Sequence, residues 1–212
     1  MYSLRIYNTI TTCCRTGIII FLLVYIVATW YYPGGSDADR YSKGFSWLHN
    51  YWCELLAPTT KSGQVNTSRP VALAGFILLD LVLMLCWLQA SFLFPRRAPG
   101  GIVLAASGLL SGIALWFLSS PSHDIIINIS GGFGLLAISL TLAGLIRWKF
   151  YAAFSLGIIC ILLFFLNTYI YYTGTWFDAL AVVQKISFAA FLGWFWIVAA
   201  AGKATPCFSG VP

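Results

Sequence analysis

Apolar residues in this chain come in long unbroken runs separated by short polar segments, at roughly 14–32, 71–94, 101–119, 126–146, 150–172 and 181–201. Each run holds about 20 residues, the length at which a helix crosses the hydrocarbon core of a bilayer. Lipid supplies no hydrogen-bond partners, so each run has to be helical to satisfy its own backbone. The pattern predicts an all-α polytopic membrane protein, a six-transmembrane-helix bundle forming one domain over residues 1–212, with a single long polar loop at 33–70. The first run, Gly17 to Tyr32, ends in aromatics and Pro33-Gly34-Gly35 without a small-residue cleavage site. It reads as a retained span.

Inside the loop, Phe45 to Leu56 has helical spacing. At about 100° per residue, Phe45, Leu48, Trp52, Leu55 and Leu56 share one face, Ser46, Asn50, Cys53 and Glu54 group opposite, and His49 lies on the border. This predicts a short amphipathic helix, resting on the outer leaflet or plugging the mouth of the bundle. Asn66-Thr67-Ser68 is a glycosylation sequon. Elsewhere the turns PRRAPGG and RWKF are short, which makes spans two and three, and spans four and five, antiparallel neighbours. Gly108, Ser111 and Gly112 in span three, with Gly131, Gly132 and Gly134 in span four, allow close backbone approach in lipid.

Only 8% of the residues are charged and 60% are hydrophobic, against about 25% charged in a soluble domain. The formal charge of +6 is scattered through short loops, not gathered into a stripe, so no nucleic-acid partner is expected. The charges read better as topology. In an alternating six-span chain Arg5, Arg15, Arg96, Arg97, Arg147, Lys149 and Lys203 share one side. Asp37, Asp39, Glu54, Asp124 and Asp178 fall on the other, with Arg40, Lys43, Lys61, Arg69 and Lys185. The positive-inside rule makes the first side cytoplasmic. Both termini are then inside, the loop 33–70 is outside, and a bacterial inner membrane is the expected setting. Trp30, Tyr31, Tyr32, Trp148, Tyr151 and Trp176 sit at span ends, where amphipathic rings favour the headgroup layer.

Few residues offer chemistry. His49 and His123 are the two histidines, both placed on the outer side, and with Asp124 or Glu54 they would hold a zinc ion with an open position. The same pair would serve as acid and base. No HExxH, GxSxG, Walker, dinucleotide or haem-attachment motif is present. Asp80 falls about 13 Å below the outer boundary of span two. A charge at such depth costs about 2.5–3.5 kcal/mol and must face the bundle or a wet cavity; Asn167, Gln184 and Lys185 are its candidate partners. Of the six cysteines only Cys53 is placed outside, so no intramolecular disulfide is expected. Cys13-Cys14 beside Arg15 is a candidate palmitoylation site.

Three features together resemble a family of six-span membrane proteins catalogued as a domain of unknown function, distantly akin to damage-regulated autophagy modulators and GPI-anchor-remodelling membrane proteins. They are Tyr32-Pro-Gly-Gly followed by Gly44-Phe-Ser-Trp-Leu-His-Asn-Tyr-Trp-Cys-Glu-Leu55, then Pro121-Ser-His123 leading into span four, then Gln184-Lys185 with Trp194 beyond. Glu54 stands where that family has Asp. The resemblance implies a six-helix bundle with its motif residues gathered at the outer surface, and no reaction.

The expected function is an outer-facing site that binds a lipid or hydrophobic small molecule, or docks a membrane-protein partner as an accessory subunit of a complex. Ser46, His49, Asn50, Glu54, His123 and Asp80 are the candidate ligand-binding residues. One alternative is a metal-dependent lipid hydrolase or acyltransferase using His49 and His123, with Asp124, Glu54 and Asp80 in support. Another is a proton-coupled transporter using Asp80.

Overall fold

The computed structural model describes residues 4–95, 97–117 and 122–201, with the backbone alone of His123. Arg96, the stretch from Leu118 to Pro121, Lys203 and Cys207 lie outside the described residues, as does the side chain of His123. The fold is helical: α1 (Leu4–Trp30), α2 (Arg69–Ala90), α3 (Pro99–Leu115), α4 (His123–Arg147), α5 (Tyr151–Thr173) and α6 (Leu180–Ala201). Among the described residues there is no strand, only two isolated bridges, Gly34 with Lys43 and Thr59 with Val65. All helices but α3 are long and apolar enough to cross a bilayer, the apolar stretches of α2 and α6 running on into flanking 3-10 turns. This is an integral membrane protein.

Two boundaries differ from the hydrophobic pattern for a physical reason. The first helix starts at Leu4 rather than near residue 14, because the hydroxyls of Thr9, Thr11 and Thr12 bond back to the carbonyls of Arg5, Tyr7 and Asn8 at 3.0, 3.0 and 3.1 Å. A threonine so bonded is no longer a polar interruption. Conversely, the helix expected over 45–56 is reduced to a 3-10 turn at Trp52–Leu56. The Asn50 Oδ1 accepts the Ser46 backbone N–H at 2.7 Å and its Nδ2 donates to Gly35 O at 2.7 Å. That side chain closes a single turn at 46–50 and ties it to Gly35, and Tyr51 leaves in an extended conformation.

The chain divides into two compact units, and the division cuts across helices. The first comprises residues 1–18, 79–159 and 192–212, the second residues 19–78 and 160–191. In the first unit α1 and α2 run antiparallel with small residues on the seam. A Cβ on Gly17 would lie 2.3 Å from Val82 Cγ2. Gln89, 1% exposed, donates to Thr11 Oγ1 at 2.6 Å, while the Tyr7 hydroxyl donates to Ala199 O at 2.9 Å. Thr11 Oγ1 also reaches Ala199 O at 3.0 Å, so α1, α2 and α6 share one polar joint. Helices α3 and α4 meet through Ser111 and Ser130, each hydroxyl reaching the other's carbonyl at 2.9 and 3.0 Å. Of the small residues singled out in spans three and four, Ser111 and Gly134 lie at this contact, whereas Gly108 and Gly112 face Trp87 and Met84 of α2. Trp194 is fully buried and donates from Nε1 to Ala153 O at 2.9 Å.

In the second unit a ring cluster forms the core beneath the loop. Trp52 lies 6.0, 5.5 and 5.2 Å, centroid to centroid, from Phe21, Tyr25 and Phe188. Gly75 on α2 admits Tyr25, since a Cβ there would meet its ring at 3.1 Å. Asn167 on α5 donates to Ser187 Oγ on α6 at 2.6 Å.

The Gly17–Val82 contact is directly testable. Gly17→Val should destabilise the protein by about 1–3 kcal/mol through overpacking, read as a lower unfolding temperature in detergent, and Val82→Ala in the same chain should recover much of the loss. A Gly17→Val protein as stable as wild type would mean the helices do not approach so closely.

Candidate functional site

The polar loop is built backbone against backbone around Gly34 and Gly35. Their φ values of 139° and 89° lie in the region glycine tolerates. A Cβ on Gly34 would fall 2.2 Å from Ser42 O, and one on Gly35 2.4 Å from Ser62 N. The Gly35 N–H donates to Ser42 O at 2.9 Å and the Gly44 N–H to Pro33 O at 3.1 Å, which closes the segment between them.

Asn50 is the joint of this loop and has no exposed surface. Besides Ser46 and Gly35 it binds Glu54, donating from Nδ2 to Oε2 at 2.5 Å. Its carbonyl accepts from Lys185 Nζ at 2.6 Å. The same ammonium donates to Ala181 O at 2.8 Å and stands 5.8 Å from the Phe45 ring centroid. One residue earlier in α6, Gln184 Oε1 accepts the Trp52 backbone N–H at 3.0 Å. The opening of α6 is thereby fastened to the loop by consecutive polar side chains.

Asn66 plays the corresponding part on the return to α2. Its Nδ2 donates to the carbonyls of Glu54, Leu55 and Ala57 at 3.0, 3.2 and 2.9 Å. Its Oδ1 accepts from the Ser68 N–H at 3.1 Å and the Ser68 hydroxyl at 2.5 Å. The sequon at Asn66 is therefore closed in the folded chain, because its acceptor nitrogen is buried and fully used.

Electrostatically the loop is internally matched. Lys61 Nζ pairs with Asp37 Oδ1 at 2.6 Å and lies 3.8 Å from Glu54 Oε1. That Glu54 oxygen is buried without a hydrogen bond. Burial pushes the Glu54 carboxyl above its ordinary value of 4.5, against the opposing pull of Asn50 and Lys61. Burial likewise raises the Cys53 thiol to about 11, with Glu54 adding to the shift, so this thiol stays protonated and unreactive at neutral pH.

The candidate residues thus separate. Ser46, Asn50 and Glu54 are brought together: Asn50 and Glu54 are buried and bind each other, not set outward as the helical projection expects, and Asn50 accepts the backbone N–H of half-buried Ser46. His49 is exposed beside them. Asp80 belongs to the first unit, as do Asp124 and the backbone of His123. Asp124 is exposed in the first turn of α4, where its carbonyl accepts from Asn128 Nδ2 at 2.9 Å. Among the described residues no group of three His, Cys, Asp or Glu side chains is placed to hold a metal ion.

Asp80 is 2% exposed, and its Oδ2 accepts from Trp116 Nε1. Its Oδ1 is buried with no hydrogen-bond partner among the described residues. The partners expected from the sequence are engaged elsewhere: Asn167 with Ser187, Gln184 with Trp52, Lys185 with Asn50. Nothing in the spacing of Trp116 marks it in the sequence as a carboxylate donor. No protein family, curated protein or solved structure matches the chain.

Two outcomes follow from this geometry. Asn66→Ala leaves buried carbonyls unpaired and should cost about 1–3 kcal/mol, measured by thermal unfolding in detergent. Because the folded chain holds the Glu54 proton more tightly than the unfolded chain, stability should fall as pH climbs from about 4.5 toward the raised folded value, then level off. Glu54→Gln should flatten that slope in a pH series of unfolding temperatures; an unchanged slope would assign it to another group.

Proposed function

We propose that the protein is a lipid-binding accessory subunit of a membrane complex, with both termini cytoplasmic and the loop between α1 and α2 at the outer surface. The observation that supports this is the contrast within one short stretch. Asn50 is wholly buried, whereas Trp47 and Leu48 are 47% and 62% exposed. A loop whose polar atoms are consumed internally presents an apolar tip. Tyr41, 90% exposed, stands on the same loop between the cations Arg40 and Lys43.

Indole and phenol rings favour the glycerol and headgroup layer of a bilayer. The loop follows directly on Trp30 and Tyr31, exposed at the end of α1. Phospholipid is the occupant that this chemistry fits: acyl chain against Trp47 and Leu48, phosphate toward Arg40 and Lys43. The topology follows the distribution of arginine and lysine between loops.

A second reading is favoured by the unpartnered Asp80 oxygen. A buried intramembrane carboxyl with spare hydrogen-bonding capacity suits a proton-coupled transporter.

A photoreactive residue introduced at Leu48 should, in native membranes, attach to phospholipid several-fold more than one at Gln64, which is exposed elsewhere on the loop. An adduct confined to protein would replace lipid with a docking partner, and labelling no greater than at Gln64 would remove the tip from binding. For the transport reading, wild-type proteoliposomes should pass protons and Asp80→Asn should abolish the flux; equal flux in both dismisses it.

A further inference from the structure

The α1–α2 seam holds a pair of thiols that the membrane-binding reading does not use. Cys14 on α1 and Cys86 on α2 are 0% and 1% exposed. Cys14 Sγ donates to Gln89 Oε1 at 3.6 Å, and Cys86 lies one turn before Gln89 on the same helix. The helices are pinned on both sides of the pair. Toward one end Gln89 Nε2 holds Thr11 Oγ1 at 2.6 Å. Toward the other, Gly17 lets Val82 approach until a Cβ would clash at 2.3 Å. In an antiparallel pair the couples 11/89, 14/86 and 17/82 fall on successive turns of one seam, so the two sulfurs are held opposite each other. Cys13, the adjacent residue, is exposed and points away from the seam.

We propose that Cys14 and Cys86 are a redox-sensitive dithiol that closes to a disulfide joining α1 to α2. Both thiols are free in the structure, the resting form in a reducing compartment. Closure forms one S–S bond and releases two protons and two electrons. A peroxide oxidant accepts both, breaking its O–O bond to give two waters, and a small dithiol returns the pair to the reduced form. Oxidation removes the thiol proton that Gln89 Oε1 accepts and replaces a packing contact with a covalent tie. The consequence is a change in the joint that α1, α2 and α6 share. The reading from sequence, in which no intramolecular bridge is expected, assigns cysteines by side of the membrane. It does not see two thiols that meet within the bundle.

The test uses the full chain in its membrane. Membranes are exposed to hydrogen peroxide or to the permeant diazene diamide, denatured in N-ethylmaleimide, digested without reduction and mapped by mass spectrometry. The expected result is a peptide linking Cys14 to Cys86 as the dominant crosslink, lost after dithiothreitol and lost in Cys86→Ser. Cys13→Ser should form it as wild type does. Recovery of both Cys14 and Cys86 as alkylated thiols after oxidation of the wild-type protein would overturn the proposal, and so would a bridge to Cys13 in place of Cys14. Because the wild-type map decides the matter, poor folding of a serine variant does not obscure it. Lipid labelling at Leu48 is unaffected by either result, so the two proposals stand or fall separately.

Discussion

Inside a membrane protein with so few charges, a buried polar atom must find its partner in the chain itself, because neither lipid nor bulk water can supply one. The architecture can be followed from one such pairing to the next. Gln89 is nearly without exposed surface and binds Thr11 and Cys14. Arg15 directs Nε and a terminal nitrogen to Trp196 O at 3.2 and 3.1 Å and stacks 5.0 Å from that ring's centroid. Asn50 and Asn66 do the same work in the loop. Each is a side-chain amide that binds several backbone groups at once, which fixes segments that have no helical ladder of their own.

This arrangement changes what the loop can be asked to do. Carboxamides and carboxylates that look available for catalysis are engaged in holding the backbone. Their loss would be felt first as instability. Prominent among the groups left exposed on the loop are rings and an aliphatic side chain, Tyr41, Trp47 and Leu48, which act by fitting into an apolar environment beside the cations Arg40 and Lys43. The proposed role in lipid binding rests on that inversion. Two carboxylates each keep one oxygen out of this arrangement: Glu54 Oε1 and Asp80 Oδ1 are both buried without a hydrogen bond among the described residues, the former 3.8 Å from Lys61 Nζ.

Much of the helical architecture was legible in the sequence, because run length and composition alone decide whether a segment can cross a bilayer. The small residues of α3 also announced close contacts, realised through Ser111 against Ser130 of α4 and through Gly108 and Gly112 against α2. The loop was harder. Helical projection of 45–56 sorted its residues by hydrophobicity and put Asn50 and Glu54 outside, whereas a single carboxamide with three side-chain partners, one of them Gly35 fifteen residues away, outweighs a few intrahelical bonds. Asn66 matched a modification signal and is instead a clamp, a role set by carbonyls nine to twelve residues away. The Asp80–Trp116 bond joins residues 36 apart in sequence. Pairings of that range leave no periodic trace. The Cys14–Cys86 contact was hidden likewise, since a count of cysteines on each side cannot register a meeting between helices.

Helix α3 carries a further implication. It has 17 residues, so it rises about 26 Å at 1.5 Å per residue, short of a hydrocarbon core of about 30 Å. Were α3 to cross the membrane, the bilayer beside it would have to thin, or the headgroups dip toward its ends, at a cost of fractions of a kcal/mol per ångström. Such a crossing would favour slender membranes, with lipids of shorter tails gathered along that helix.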